Sequence, residues 1–194
     1  MTRIEEYFQT IKQGVENGAD INDAKASYLH DFLDVYYTCI YEAERRPNQE
    51  EYDELLFSKV LMLPLAEREW GILGALEWFR KNGADFNVGE DDEVPLMRSV
   101  GNADAYMTEY LICHGANPDV DEDNGVYKAN TFLVSLDVGL LNESFVNLPD
   151  KTFFDAALKT AAVLAKNGVK GRLHCIEIDE KTRTVFVNQA KVRF

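Results

Sequence analysis

The chain has 194 residues, of which 46% are hydrophobic and 11% aromatic. This length predicts one domain, and this composition excludes a disordered chain because it supplies enough apolar surface for a core. Asp and Glu number 34 against 20 Lys and Arg, a net charge of −14. Nucleic acid and anionic membranes are therefore poor partners, since both would repel the chain. The charge suits a basic partner or simple solubility and does not decide between them.

Three well-separated cysteines, Cys39, Cys113 and Cys175, form no Cys-x-x-Cys pair. This arrangement favours a reducing compartment over a disulfide framework or a cysteine-rich zinc site. The first residues lack the apolar stretch of a signal peptide, and no apolar run approaches the ~20 residues of a membrane span. We expect a cytoplasmic protein.

The first predicted element is an amphipathic helix with apolar residues at helical spacing over 4–15. Thr2 and Glu5 form a capping box at its start. The sequence Asn-Gly-Ala-Asp-Ile-Asn at 17–22 predicts a helix end closed by a left-handed glycine.

The next helix is predicted to begin near residue 28. Five aromatic residues at helical spacing predict its core face: Tyr28, Phe32, Tyr36, Tyr37 and Tyr41. A further helix is predicted near 49–62, where Asn48 and Glu51 form a capping box.

The turn at 17–22 is repeated along the chain. It recurs at 82–87, more weakly at 114–119, and in shortened form at 167–169; the first and second copies are 65 residues apart, and the second and third are 32 residues apart. A helix with an apolar face is predicted directly before each of the three later copies of the turn. These faces are Ile72, Leu76 and Phe79; Met107, Tyr110 and Leu111; and Phe154, Leu158, Ala161, Leu164 and Ala165.

A second landmark alternates with these turns. Four tetrapeptides with Leu in third place follow each other at spacings of 36, 31 and 37 residues: 27–30, 63–66, 94–97 and 131–134. Pro64 and Pro95 suit the first turn of a helix, and Ser27 and Thr131 are predicted N-caps. The shared Leu is predicted to be buried.

A repeat of about 33 residues with a Thr-Pro-Leu-His-like helix start and a Gly-Ala-Asp-x-Asn turn resembles the ankyrin repeat. The resemblance covers residues 3–168. It implies a mainly α fold, a solenoid of about four divergent helix-pair units whose turns project as fingers, with a polar-faced N-terminal cap. The sequence departs from the family near residue 50, where an extra helix replaces the turn, and in about 16 added residues that include 140–150.

The end of the chain changes character. Segments 173–178 and 184–187 read as strands around a polar turn, which predicts a β-hairpin. Residues 170–194 carry six basic and three acidic side chains, a net charge of +3. We predict a repeat domain over 1–169 and a hairpin extension over 170–194 that caps the last unit.

Catalytic signatures are not found in the sequence. The resemblance implies a structural hydrogen-bonding role for His30; His114 suits the negative end of a helix dipole, and His174 lies in a predicted strand. No Ser or Cys is spaced to pair with them, and no HExxH, GxSxG or phosphate-binding loop occurs. We expect neither an enzyme nor a cofactor.

Two acidic segments, 89–93 and 119–125, fall in predicted fingers. They are interpreted either as a solvated surface or as a partner-binding strip. The Asp-x-Asp-x-Asp spacing of the second also suggests a calcium loop, but its Gly comes one place late and Asn130 occupies its twelfth position.

The resemblance implies that the first residues of each inner helix face a concave groove. Trp70 is either an anchor for a partner or an ordinary core residue, and Ser135 is the groove position of the last unit. The predicted partner-binding residues are Asp31, Asp34, Glu67, Trp70, Glu90, Asp91, Asp92, Glu93, Arg98, Asn102, Asp121 and Asp123.

The leading hypothesis is a non-enzymatic module that binds a basic protein, in its most concrete form an inhibitor or immunity-type protein that neutralises a toxin. One alternative is a metal-dependent enzyme or calcium-binding protein that uses Asp119–Asp123. Another is a multivalent scaffold or adaptor. The oligomeric state is left open.

Overall fold

In a computed structural model the chain is mainly helical, with small antiparallel sheets. The structure describes residues 3–42 except 24 and 27, 72–89, 94–123, 128–141, and 150–187 except 174, 180 and 183. The chain divides into two compact units, Met1–Pro95 and Leu96–Phe194. The predicted boundary at 169/170 and the count of about four repeat units stay predictions.

The helices of the described residues are α1 (Arg3–Glu16), α2 (Tyr28–Glu42), α3 (Ile72–Lys81), α4 (Pro95–Gly101), α5 (Ala105–Cys113), α6 (Thr131–Leu141) and α7 (Asp150–Lys166). The strands are β1 (Asp121–Asp123), β2 (Lys128–Asn130), β3 (Gly171–Arg172), β4 (Ile176–Ile178) and β5 (Val185–Val187). The helix predicted near 49–62 and the helix start at 63–66 lie outside the described residues.

Aromatic rings hold the first unit together. The ring of Phe8 on α1 lies 5.6 Å from that of Phe32 on α2 and meets Trp78 of α3 edge-on at 5.4 Å. Phe32 and Phe79 close the cluster at 5.6 Å between centroids. Such tilted and edge-to-face pairs add to the free energy of burying the rings. The predicted apolar faces of α1 and α3 thus meet α2 in one core.

The repeated turns have the same backbone structure. Their glycines have φ between 82° and 107°, as predicted: Gly18, Gly83, Gly115 and Gly168. In each turn the glycine N–H donates to the carbonyl three residues back and the next N–H to the carbonyl five residues back. This is the Schellman motif, which satisfies the last carbonyls of a helix. Ala103, with φ 53°, makes the same pair of bonds between α4 and α5.

The residues that follow three of these glycines also form the same local hydrogen bond. Asp20, Asp85 and Asn117 each accept, through a side-chain oxygen, the backbone N–H two residues later, at 3.0, 2.9 and 3.0 Å. This is an Asx turn, in which the side chain of Asp or Asn takes the place of a backbone carbonyl in a turn. The sequence repeat is therefore a repeat of backbone geometry.

The turns at 17–22 and 82–87 lie side by side in the first unit. The Nδ2 of Asn22 donates to the Gly83 carbonyl at 3.0 Å, and its Oδ1 accepts the Asp85 N–H at 2.7 Å. Two turns that are 65 residues apart in sequence are thus direct neighbours.

The second unit begins with two short helices joined by a three-residue turn. Pro95 opens α4, as predicted, and Asp104 caps α5 by accepting the Met107 N–H at 2.9 Å. Between the helices, the buried hydroxyls of Ser99 and Thr108 are 3.0 Å apart and hydrogen-bonded. α7 then packs against both α5 and α6.

An unpredicted hairpin precedes α6. β1 pairs with β2 in antiparallel register, with Asp121 opposite Asn130 and Asp123 opposite Lys128. The N-cap of α6 is Asn130 and not Thr131, because the Asn130 Oδ1 accepts the Leu133 N–H at 3.1 Å while Thr131 is already the first helical residue. Its Nδ2 also donates to the Pro118 carbonyl at 2.7 Å and so closes the base of the hairpin.

The predicted C-terminal hairpin is confirmed and is part of a larger sheet. β4 pairs with β5, and β3 adds a third strand on the other side of β4. Ile176 and Ile178 are buried, and β5 contacts α7. At the turn, the Asp179 carboxylate accepts hydrogen bonds from Thr182 and Lys181, which lowers the pKa of Asp179.

Candidate functional site

The carboxylate of Asp31 is the centre of a polar cluster on the surface of the first unit. We define the Asp31 cluster as Tyr7 of α1 with Tyr28, Asp31 and Asp34 of α2. The Tyr7 hydroxyl hydrogen-bonds the Asp31 carboxylate. His30, which is buried, places Nδ1 3.2 Å from Asp31 Oδ1. The Asp31 side chain is nevertheless 47% exposed, so its carboxylate is held in place and also open to solvent.

The surroundings of Tyr7 keep its hydroxyl protonated. Burial raises the pKa of Tyr7 above its ordinary 10.0. The charge of Asp31 and the hydrogen bond between Asp31 and Tyr7 raise this pKa further, and so do the nearby Tyr28 and the charge of Asp34. Each of these favours the neutral phenol, which is the form that can donate to a carboxylate. Tyr7 is therefore a donor that orients Asp31 at neutral pH.

The predicted groove residues Asp31 and Asp34 lie three residues apart and so share one face of α2. α2 carries no Lys or Arg, and its acidic residues are Asp31, Asp34 and Glu42. A half-exposed carboxylate already fixed by its donors loses little conformational entropy when it binds a cation. This face can thus accept a Lys or Arg side chain.

A second acidic segment is the hairpin of the second unit. We define the acidic hairpin as the described residues 119–123 and 128–130. Its sequence places Asp119, Asp121, Glu122 and Asp123 on one arm against a single Lys128 on the other. An EF-hand loop curves around its ion between two helices, whereas 121–123 is a strand paired with 128–130. The calcium-loop interpretation therefore does not fit this backbone.

The predicted residues of α4 lie in the second unit. Arg98 and Asn102 are half-buried, and the Asn102 Nδ2 donates to the Arg98 carbonyl at 2.8 Å at the helix end. Ser135 of α6 is close to this end, since a methyl group added at Gly101 would lie 3.4 Å from its Oγ. The two helices that begin at repeated tetrapeptides therefore adjoin here. Arg98 and Asn102 lie at the end of α4, and Ser135 belongs to α6.

The remaining predicted site residues are not placed. Glu67, Trp70 and the acidic segment Glu90, Asp91, Asp92 and Glu93 lie outside the described residues. Asp121 and Asp123 are placed by their backbone alone.

A scan against protein-family models found no match to the chain, and searches of curated proteins and of solved structures found none either. The ankyrin resemblance therefore rests on the residues quoted for it.

Within the described residues, no three His, Cys, Asp or Glu side chains are grouped so that they could hold a metal ion. In the same part of the chain, no helix has the length and apolar character needed to cross a membrane.

Sequence reasoning missed the role of two aromatic residues. Tyr7 and Tyr28 were assigned to apolar helix faces, yet both are half-buried and both influence the Asp31 cluster. The signal was available, because a tyrosine on an apolar face needs a partner for its hydroxyl and α2 supplies carboxylates. Trp78, which packs on Phe8 and Phe79, was also overlooked.

Proposed function

We propose that this protein is a non-enzymatic interaction module that binds a basic protein partner. The observation that carries the proposal is the Asp31 carboxylate, oriented by Tyr7, half-exposed, and located on a helix without Lys or Arg. Carboxylates held in this way pair with Lys or Arg through charge-assisted hydrogen bonds.

The scaffold of the module is an ankyrin-like solenoid with a C-terminal β-hairpin cap. Support comes from the recurring Schellman and Asx geometry and from the Asn22 bridge, which joins one turn to the next copy. In a solenoid each unit contacts only its neighbours, so equivalent positions of successive units form one extended surface. Acidic turns and helix starts would then act together on one partner.

The partner is a basic protein, and the module is an inhibitor of the immunity type that neutralises a toxin. The net charge of −14 supports this, because long-range attraction raises the rate at which oppositely charged proteins meet. Binding would cover the active surface of the partner without any chemistry by this chain.

The test is affinity capture from the source cells with matched baits, followed by mass spectrometry. The first bait is the wild-type chain, and the second carries Asp31→Lys and Asp34→Lys. A control bait carries Glu16→Lys and Asp155→Lys, which change the net charge equally at exposed positions outside both candidate surfaces.

We expect the wild-type and control baits to recover the same basic protein and the Asp31/Asp34 variant to lose it. If both variants recover this protein equally well, the Asp31 cluster does not bind the partner. If the recovered proteins are acidic, the proposed partner class is wrong.

A further inference from the structure

The sheet at the end of the chain has an open edge. Its strand order is β3–β4–β5, so β4 is the central strand and β5 lies at one side. Among the described residues, no further strand pairs with β5. Residues 184–187 read Thr-Val-Phe-Val and include neither a charged residue nor a proline. Charges and prolines are common means by which proteins prevent another strand from pairing with an edge, so this edge is able to accept one.

The hydrogen bonds of the sheet determine which peptide groups point out of this edge. The Asp179 N–H donates to the Thr184 carbonyl at 3.0 Å, so these two residues form a hydrogen-bonded pair in the register of β4 and β5. Bonded and non-bonded pairs alternate along antiparallel strands, so Phe186 bonds Glu177 through both of its peptide groups. The N–H and C=O groups of the residues on either side of Phe186 therefore point away from β4, towards the open edge.

The side chains near the edge alternate between an apolar inner side and an exposed outer side. Ile178 is buried, and Val185, which is opposite it in register, is half-buried. Phe186 and Glu177 are opposite each other on the outer side, because side chains alternate along a strand. Phe186 is 55% exposed, the highest value among the large hydrophobic side chains of the described residues. The outer side thus presents an aromatic ring next to a carboxylate.

A strand that adds to this edge would have a defined sequence pattern. Its residue opposite Phe186 lies on the outer side, and the neighbours of that residue lie on the inner side, where apolar side chains extend the contact with Val185. A Lys or Arg opposite Phe186 can lie over the ring, where a cation is attracted to the aromatic face, and its charge then approaches Glu177. Glu177 also takes part in an interaction within the protein, but a carboxylate accepts several hydrogen bonds and can serve both.

We propose that the open edge of β5 binds an extended segment of a partner protein by strand addition, with an apolar–basic–apolar sequence centred on Phe186. Main-chain hydrogen bonds to Val185 and Val187 supply the affinity for an extended chain, and Phe186 with Glu177 selects the basic residue. The net charge of −14 favours a partner of the same sign of charge as that residue. The basic character of the partner rests on the proposed function, whereas this surface and its mode of binding go beyond it.

The probe is a synthetic peptide, acetyl-Thr-Val-Arg-Val-Thr-amide, which is titrated into the full-length chain up to about 5 mM and followed by amide NMR signals, a range suited to weak binding. One matched peptide has Glu in place of Arg. Another carries N-methyl groups on both valines, which removes the N–H donors that would face Val185 and Val187. The protein variants are Phe186→Ala and Glu177→Gln, with Glu16→Gln at an exposed position of α1 as the control of equal charge change.

We expect the arginine peptide to shift the amide signals of Val185 and Val187 and to slow their hydrogen exchange, which in the free chain should be faster than that of Phe186. The glutamate peptide should bind about tenfold more weakly, and the N-methylated peptide should not bind measurably. Phe186→Ala should raise the Kd about tenfold and Glu177→Gln about threefold, while Glu16→Gln behaves as wild type. Because the peptide comparisons use the wild-type chain, they remain valid if a variant fails to fold.

Equal or tighter binding of the glutamate peptide overturns the proposal, and so does the absence of any shift at Val185 and Val187 up to about 5 mM arginine peptide. Slow exchange of both amides in the free chain also overturns it, because the edge would then be covered already. Its cover would be a second copy if protection rises with protein concentration, and this chain's own residues if it does not. None of these readouts involves Asp31 or Asp34, so a failure here is separate from a failure of the affinity capture.

Discussion

The glycine at the end of α3 shows how one residue determines a turn. Gly83 has φ 82°, and a Cβ built there would meet nothing within 4 Å, so conformation rather than space restricts this position. Gly83→Val should lower the free energy of unfolding by about 1–2 kcal/mol, since a β-branched residue is strained at positive φ. Thermal and chemical unfolding measure this loss, and partner binding at permissive temperature should be nearly unchanged.

Gly14 provides the matched control. It lies inside α1, where a Cβ would also meet nothing within 4 Å, but its φ is not positive. Gly14→Ala should raise the free energy of unfolding by about 0.5–1 kcal/mol, because alanine loses less conformational entropy in a helix. Equal effects at both positions, or a Gly83→Val variant that keeps its stability and loses binding, would contradict a purely conformational role for Gly83.

The hydroxyl of Tyr7 makes a pH-dependent contribution to stability. Its folded-state pKa is raised, chiefly by burial and then by Asp31, so its stabilising effect is complete below the unfolded pKa. The effect is lost as pH rises through the folded value. Tyr7→Phe should be less stable than wild type at neutral pH by about 1 kcal/mol, the usual net value of a hydrogen bond.

The measurement is urea unfolding of both proteins from about pH 7 to about pH 11, which spans tyrosine ionisation. The difference in unfolding free energy should shrink on the alkaline side, because the wild type alone loses the Tyr7 contribution. A difference that stays constant over this range would show that the Tyr7 hydroxyl does not donate to Asp31.

At the scale of elements, Asn22 links two turns. Asn22→Ala removes both of its hydrogen bonds to the turn at 82–87 and should cost about 1 kcal/mol of unfolding free energy, because the freed groups are exposed to water. Asn22→Asp keeps the acceptor for the Asp85 N–H and loses the donor to the Gly83 carbonyl. Its unfolding midpoint in urea should fall between wild type and Asn22→Ala; the reverse order would contradict the two-bond geometry.

The sequence predicts elements that have strong local signals. Helix ends marked by Gly83, Gly115 and Gly168 are found where expected, because the left-handed conformation and the apolar period act within a few residues. The N-cap of α6 was misplaced by one residue, since Asn130 and Thr131 are both good caps and only the contact with Pro118 decides between them. The β1–β2 hairpin was missed because its strands are short and acidic, against ordinary strand preference.

The candidate site is less predictable from sequence than the fold. Asp31 and Asp34 were found through the repeat template, but the Tyr7 contribution depends on how α1 packs against α2. No local pattern encodes that contact, since the residues are 24 positions apart. Predicting the site thus requires the tertiary structure, whereas predicting the turns does not.

At the scale of the whole molecule, charge is distributed unevenly, with −12 in residues 1–95 and −2 in residues 96–194. Combined Lys substitutions at Glu90, Asp91, Asp92 and Asp123 should slow association with a basic partner. Charges at an interface rim act mainly on encounter, and each acts over about 8 Å at physiological salt. The sequence predicts that these four side chains lie in projecting turns, where charges contribute little to stability, so the variant should unfold at the wild-type temperature.

The association rate as a function of salt tests the acidic binding surface most directly. The partner recovered by capture is immobilised, and the association rates of wild type and of this fourfold variant are measured by surface plasmon resonance at low and high salt. We expect the association rate of the variant to be about tenfold lower at low salt and the two rates to converge at high salt. Equal association rates at low salt would contradict the claim that acidic side chains guide this protein to its partner.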